Sequence, residues 1–204
     1  MTIGELLAQF GNKYLVAMLT TWKLTAVSFA FALLIGVAVT VMRTCPVRPL
    51  RMLGDFYVQV FRNIPGAALP YGNCVVIATT LIPSAFCSEY LMSGINTIGI
   101  GQIEAARSLG MTFGTMMRRI VIPQAVRSSV LPMTNLLIAT MLTTSLGSQV
   151  PLNPQELTGL VSYINTHAVG GVTAFLISAL LYCATAVVIG QIGSAIDRRV
   201  RIIR

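Results

Sequence analysis

Four stretches of this 204-residue chain carry no charged side chain: Leu24 to Met42, Ile64 to Ser88, Ser128 to Pro154 and Ala168 to Ile196. A helix needs about 20 apolar residues to cross the hydrocarbon of a bilayer. Backbone in that medium must satisfy its own hydrogen bonds, which for single segments leaves the α-helix. Only 10% of the residues are charged, against roughly 25% in an average soluble domain. A water-soluble fold has too little polar surface to draw on here, and the chain reads as all-α and polytopic.

The formal net charge of +8 comes from 12 arginines and 2 lysines against 6 acidic residues. Such an excess can mark nucleic-acid binding. Here the arginines form three clusters next to apolar runs: Arg43, Arg48, Arg51 and Arg62, then Arg107, Arg118, Arg119 and Arg127, then Arg198, Arg199, Arg201 and Arg204. Short loops rich in arginine stay on the cytoplasmic side. All three clusters are therefore expected inside, the last as a topological anchor, while Pro151 to His167, without Lys or Arg, reads as the external loop. No nucleic-acid partner is expected.

At the start of the chain Ile3, Leu6, Leu7, Phe10 and Tyr14 fit one face of a short amphipathic helix lying on the membrane surface. No basic residue precedes this run and no small-residue cleavage pattern follows it, so it does not read as a signal peptide. Leu24 to Met42 is the first crossing, with Gly36 either a close packing point or incidental. Leu53, Phe56, Tyr57 and Val60 place a membrane-lying helix over Met52 to Phe61.

Ile64 to Ser88 conflicts with the charge pattern. Basic loops on both sides demand an even number of crossings, yet two crossings need about 40 residues and this run has 25, broken by Pro65, Gly66, Pro70, Gly72 and Pro83. Two arrangements stay open. One is a pair of broken half-helices that enters and leaves on the same face; the other is one straight crossing near Cys74, which would put the following loop outside.

That following loop, Gly101 to Pro132, is the one long polar-rich island between apolar segments. Ile103, Ala106, Leu109, Phe113, Met117 and Ile120 recur at helical spacing, interrupted by Gly110, which permits a bend. Two short helices around a bend are expected. Glu104 favours the positive end of the first, Ala105 and Ala106 let another surface approach the backbone, and Pro123 and Pro132 punctuate the way into the next crossing. The plain alternative is a solvated basic loop.

Glu104-Ala105-Ala106, then Gly110, then Ile120-Val121-Ile122-Pro123 resembles the EAA loop of binding-protein-dependent ABC importer permeases. Gly101-Gln102, Ser108-Leu109-Gly110-Met111, Pro123-Gln124-Ala125 with Arg127, and Pro132 with Asn135 narrow the resemblance to polar amino-acid permeases of the glutamate, histidine and arginine type. It extends upstream through Glu89, Ser93-Gly94-Ile95 and Arg62-Asn63-Ile64-Pro65. The neighbourhood Ser93 to Met111 is most similar to coryneform glutamate-uptake permeases.

The resemblance implies a type-1 ABC importer transmembrane domain over residues 15–200, shortened in the 64–88 region, in a bacterial cell membrane. It implies that Glu104, Ala105, Ala106, Arg107, Ser108, Leu109, Gly110, Ile120 and Pro123 couple the chain to a cytoplasmic ABC ATPase. Further implied partners are a second permease subunit or a copy of this chain, an extracytoplasmic solute-binding protein, the amino-acid substrate and membrane lipid. Asn135, Thr140, Thr143 and Thr144 are candidates to line a translocation path, against the alternative that such hydroxyls bond their own helix. The chain departs from the pattern at Leu142-Thr143, where the family has a lysine followed by an acidic or amide residue, and at Met92, where it has a basic one.

The four cysteines, Cys45, Cys74, Cys87 and Cys183, show no metal or redox spacing, His167 is the one histidine, and no nucleotide-binding or nucleophile motif is present. The chain is expected to bind no metal or cofactor and to carry no catalytic residue, with ATP hydrolysis on another subunit. A degenerate, non-transporting permease copy is the rival reading. An ion-coupled carrier is disfavoured, since no carboxylate lies deep in an apolar run.

Overall fold

A computed structural model describes residues 2–64, 74–149, 152–168 and 170–200. Among them every regular element is helical: α1 (Ile3–Thr44), α2 (Arg48–Asn63), α3 (Cys74–Ile95), α4 (Ile100–Ser108), α5 (Phe113–Met116), a π-helical segment (Met117–Val121), α6 (Ile122–Ser128), α7 (Val130–Thr143), a 3₁₀ segment (Thr144–Gln149), α8 (Leu157–His167) and α9 (Gly171–Val200). Four of these stretches are long and apolar enough to cross a membrane, Ile3–Thr44, Val75–Ile95, Val130–Gln149 and Gly171–Val200. Pro65, Gly66, Pro70, Gly72, Pro151, Arg201 and Arg204 lie outside the described residues.

The expected short surface helix is not a separate element. α1 runs unbroken for 42 residues, about 63 Å at 1.5 Å per residue, twice the roughly 30 Å of hydrocarbon. No proline interrupts it. Its buried face follows Leu6, Phe10, Tyr14 and Ala17, while Ile3 and Leu7 remain about half exposed.

The chain packs as two compact units, the first from residues 1–30, 65–80 and 137–190, the second from 31–64, 81–136 and 191–204. In the first, Leu6, Phe10, Tyr14 and Ala17 of α1 join Leu157, Leu160 and Ile164 of α8 and Ala174 and Ile177 of α9 in one buried cluster. Hydroxyls fasten it. Tyr14 donates to the Ala174 carbonyl at 3.2 Å, Thr21 Oγ1 accepts the Leu157 N–H at 3.2 Å, and Ser28 and Thr79 share a bond at 2.8 Å. Helix α8 falls inside the segment read as a plain external loop.

In the second unit the helices meet through small residues, which in lipid let backbones approach and gain dispersion contacts. A Cβ added at Gly36 would lie 2.6 Å from Cys87 Sγ and 2.9 Å from the Ser84 carbonyl oxygen, so this glycine is a packing point. At Gly94 it would lie 2.7 Å from the Ala125 carbonyl oxygen and 2.7 Å from the hydroxyls of Ser128 and Ser129, and Ser129 donates to the Tyr90 carbonyl at 2.8 Å. Backbone meets backbone where α3 passes α6.

The two ends of the 64–88 segment also meet in this unit. Arg62 Nη1 lies 3.2 Å from Glu89 Oε2, so the residues that bracket the segment touch each other. Both basic loops, 43–62 and 89–127, belong to this one unit. The straight crossing that would strand the second loop on the opposite face is overturned. The half-helix form is also corrected from Cys74 onward, because α3 continues through Pro83 to Ile95. Pro83 withholds an N–H from the turn before it, and hydroxyls serve the carbonyls nearby: Ser84 Oγ donates to the Leu81 carbonyl at 2.6 Å and shares a 2.6 Å bond with the Tyr57 hydroxyl.

Candidate functional site

Helix α4 is an exposed rod held from one side. Ala106 is buried and Ile103 half-buried, packed with Ile98, Met116, Met117 and Val121. Glu104, Ala105, Arg107, Ser108 and Leu109 all face outward. Leu109 corrects the periodic reading, since it is 81% exposed instead of lying on the face that Ala106 buries. As the residue that closes the helix it points away from the core, and Met111 fills the place beside Ala106.

The end of α4 depends on Gly110. Its φ of +73° is the left-handed conformation, which costs an L-residue roughly 1–2 kcal/mol. With it in place the Met111 N–H reaches back to the Ala106 carbonyl at 3.1 Å and the Gly110 N–H to the Arg107 carbonyl at 2.9 Å. This pair of bonds is the Schellman closure, which satisfies carbonyls the helix would otherwise leave open. A Cβ added at Gly110 would meet nothing within 4 Å, so the requirement there is conformational.

After the turn, Thr112 caps α5 by accepting the Thr115 N–H. The expected second short helix is a continuous helical run, α5, the π segment and α6. Its π turn at Met117–Val121 ends two positions before Pro123, which has no N–H to give to the preceding turn. Ile120 packs at the edge of the cluster under α4, and Pro123 is exposed in the first turn of α6. Gln124 Nε2 donates to Gln102 Oε1 at 2.7 Å, tying α6 to α4. The named loop residues therefore sit together on one element and its anchor.

Beside this loop lies a charged hub that the sequence reading did not assemble. Arg43, at the end of α1, meets Asp55 Oδ1 of α2 through Nε at 2.9 Å and Glu89 Oε1 of α3 through Nη1 at 2.8 Å. Arg62 holds the other oxygen of Glu89. The hub joins three helices with side chains drawn from positions 12 and 34 residues apart, a pairing that periodicity within one element does not reveal.

Of the path-lining candidates, Asn135, Thr140 and Thr143 lie on α7 and Thr144 opens the 3₁₀ segment; Asn135 and Thr143 are exposed, Thr140 and Thr144 buried. Thr143 and Thr144 donate to the carbonyls of Thr140 and Met141 at 2.8 and 2.6 Å, the local bonding expected of helix hydroxyls.

A buried carboxylate was also missed. Glu156 caps α8, accepting the N–H groups of Thr158 at 2.7 Å and Gly159 at 2.6 Å and the Tyr182 hydroxyl at 3.1 Å. Burial pushes its carboxyl above the usual range, and these bonds hold it back part of the way. A helix-start acid before Leu-Thr-Gly was the available signal. A cavity of about 340 Å³ opens beside it, lined by Gln149, Gln155, Ser162 and His167.

No protein-family model matches the chain. It is similar to the glutamate transport system permease protein GluC of Corynebacterium glutamicum, 34% identical over 193 residues that cover 81% of this chain and 84% of that one. It is also similar to the probable glutamine ABC transporter permease protein GlnM of Bacillus subtilis, 33% identical over 139 residues, 61% of this chain and 64% of that one. A crystal structure of an amino acid ABC transporter with histidines superposes with a TM-score of 0.83, covering 95% of this chain and 96% of that chain at 24% identity, which establishes a shared fold.

Proposed function

Because this chain belongs to the polar amino-acid permeases of ABC importers, and is thereby a membrane-embedded subunit of an amino-acid importer, we propose that α4 is its ATPase-coupling helix and that glutamate is its first-choice substrate. The observation that carries the coupling role is the geometry of α4: an outward face of Glu104, Ala105, Arg107, Ser108 and Leu109 on a helix whose underside and far end are both fixed. A load applied to that face passes through Ala106, Gly110 and the Gln102–Gln124 bond into α6 and α7.

In this reading ATP closes the dimer of a separate cytoplasmic ATPase, α4 moves with it, and the spanning helices reorient around an amino acid delivered by an external binding protein, a rigid-body form of alternating access. This subunit sits in the bacterial inner membrane, pairs with a second permease or a copy of itself, and hydrolyses nothing. Glutamate is supported by the identity to GluC; glutamine and arginine are the alternatives within the polar class.

Uptake of labelled glutamate, arginine and glutamine, measured in cells with and without the chain, tests the substrate. Loss of glutamate uptake alone is the expected result. Loss of another amino acid instead would reassign the substrate, and unchanged uptake of all three would leave the degenerate-copy reading standing. That rival draws on Leu142, which is exposed where the family pattern has a lysine.

A further inference from the structure

Helix α2 buries one side and leaves the other without a partner. Its inward side carries Gly54 and Val58, both buried, with Tyr57 bonded to Ser84. Its outward side carries Met52 at 69%, Leu53 at 57% and Phe56 at 65% exposure. Arg48 borders that side one turn before Met52, and Arg51 follows three residues on, within reach of Arg48 along the helix, both exposed. Among the described residues neither forms an ion pair, because Asp55, one turn beyond Arg51, is engaged by Arg43, and Glu89 by Arg43 and Arg62.

The helix begins four residues after α1 ends, and the uncharged part of α1, Leu24 to Met42, which is long and apolar enough to cross a membrane, stops two residues before that end. The exposed side is therefore placed at the boundary between hydrocarbon and headgroups. Two arginines beside three large apolar side chains match the headgroup and acyl parts of an anionic phospholipid. A second copy of this chain fits poorly. In an isologous contact each patch meets itself, which would set Arg48 and Arg51 against their own counterparts with no carboxylate between them.

We propose that this face of α2 is a docking surface for an anionic phospholipid of the leaflet where α1 ends, its phosphate taken by Arg48 and Arg51 and its acyl chain laid along Met52, Leu53 and Phe56. The assignment does not depend on which amino acid is carried. Guanidinium groups hold phosphate through charge-assisted hydrogen bonds, and the neighbouring span keeps the acyl chain within reach.

The test uses the assembled transporter in nanodiscs of phosphatidylglycerol diluted in phosphatidylcholine, with retained lipid counted by native mass spectrometry. Wild-type protein should retain phosphatidylglycerol over phosphatidylcholine. The R48Q/R51Q variant should lose about 25-fold in that preference, about fivefold per arginine. R48K/R51K, which keeps the charge, should stay within about threefold, and Phe56→Ser should weaken retention of both lipids. Equal preference in wild type and R48Q/R51Q would overturn the proposal. So would loss of the permease dimer in R48Q/R51Q with lipid retention unchanged, which would give the face to a second permease.

Discussion

Arg43 and Glu89, 46 positions apart in the chain, form a 2.8 Å ion pair in which the arginine side chain is only 14% exposed. The same guanidinium serves Asp55, so its removal leaves two carboxylates short of a partner. Hydrogen bonds to charged groups contribute about 1.5–3 kcal/mol where they are partly buried. Arg43→Gln should therefore lower the unfolding free energy by about 2–3 kcal/mol, read as an earlier thermal transition in detergent. Arg62→Gln, whose side chain is 44% exposed, should cost under about 1 kcal/mol. Equal effects of the two would contradict the hub.

Leu109 should matter to association and not to folding. Its side chain is mostly in solvent in the isolated chain, so Leu109→Ala should leave the melting temperature unchanged. If the side chain enters an ATPase cleft, the loss of about 1.5 kcal/mol of burial weakens that complex about tenfold. Co-purification of the ATPase at graded concentration measures it.

Gly110 should fail by a different route. Gly110→Ala meets no atom but forces a left-handed alanine, about 1–2 kcal/mol against the α4 closure. Gly110→Asn should be milder, since asparagine visits that region more readily, and Gly110→Glu should add charge to the same strain. The measurement is ATP hydrolysed per amino acid transported, which should rise in the order Asn, Ala, Glu. Normal transport by the glutamate variant would remove the coupling role from this loop.

Glu156 makes the first unit sensitive to pH. Its carboxyl titrates above the unfolded value because of burial, so the folded chain retains a proton that the unfolded chain releases. Stability is then full below the ordinary glutamate range and falls as pH rises through the raised folded value. Glu156→Gln keeps an oxygen for the α8 N–H groups and cannot ionise. Thermal unfolding from about pH 4 to about pH 8 should slope downward in the wild type relative to this variant, and parallel curves would count against a buried, titrating carboxylate.

Topology is open to direct labelling. Ser108 and Asn165 are both exposed, one in each compact unit. Ser108→Cys and Asn165→Cys, each in a background without the native cysteines, should differ toward an impermeant thiol reagent on intact cells. Labelling at 165 and none at 108 is expected. Labelling at 108 would place α4 outside and end the importer reading.

Three of the spans, those over residues 24–42, 128–154 and 168–196, and the bend at Gly110 were legible because each rests on a local signal, an uncharged run or a glycine at the end of a periodic helix; the broken 64–88 run gave no such signal. Leu109 was misplaced for a related reason: periodicity assumes the helix continues, and it stops there. Likewise, Tyr14 was assigned correctly to an apolar face while the length of α1 was missed, since nothing local separates a surface helix from the first turns of a long one. The Arg43 hub and the buried Glu156 depend on partners from distant helices. Their pairing is set by tertiary packing, which one element's pattern does not encode.

The close approach at Gly94 has a mechanical consequence. Where two helices touch through long side chains, a small displacement of one is absorbed by rotamer adjustment and never reaches the other. Between α3 and α6 that slack is absent, because the nearest atoms to the glycine are a carbonyl oxygen and two short hydroxyls. The joint behaves like a gear without backlash, so even a sub-ångström stroke of α6 must be delivered to α3 instead of being lost on the way.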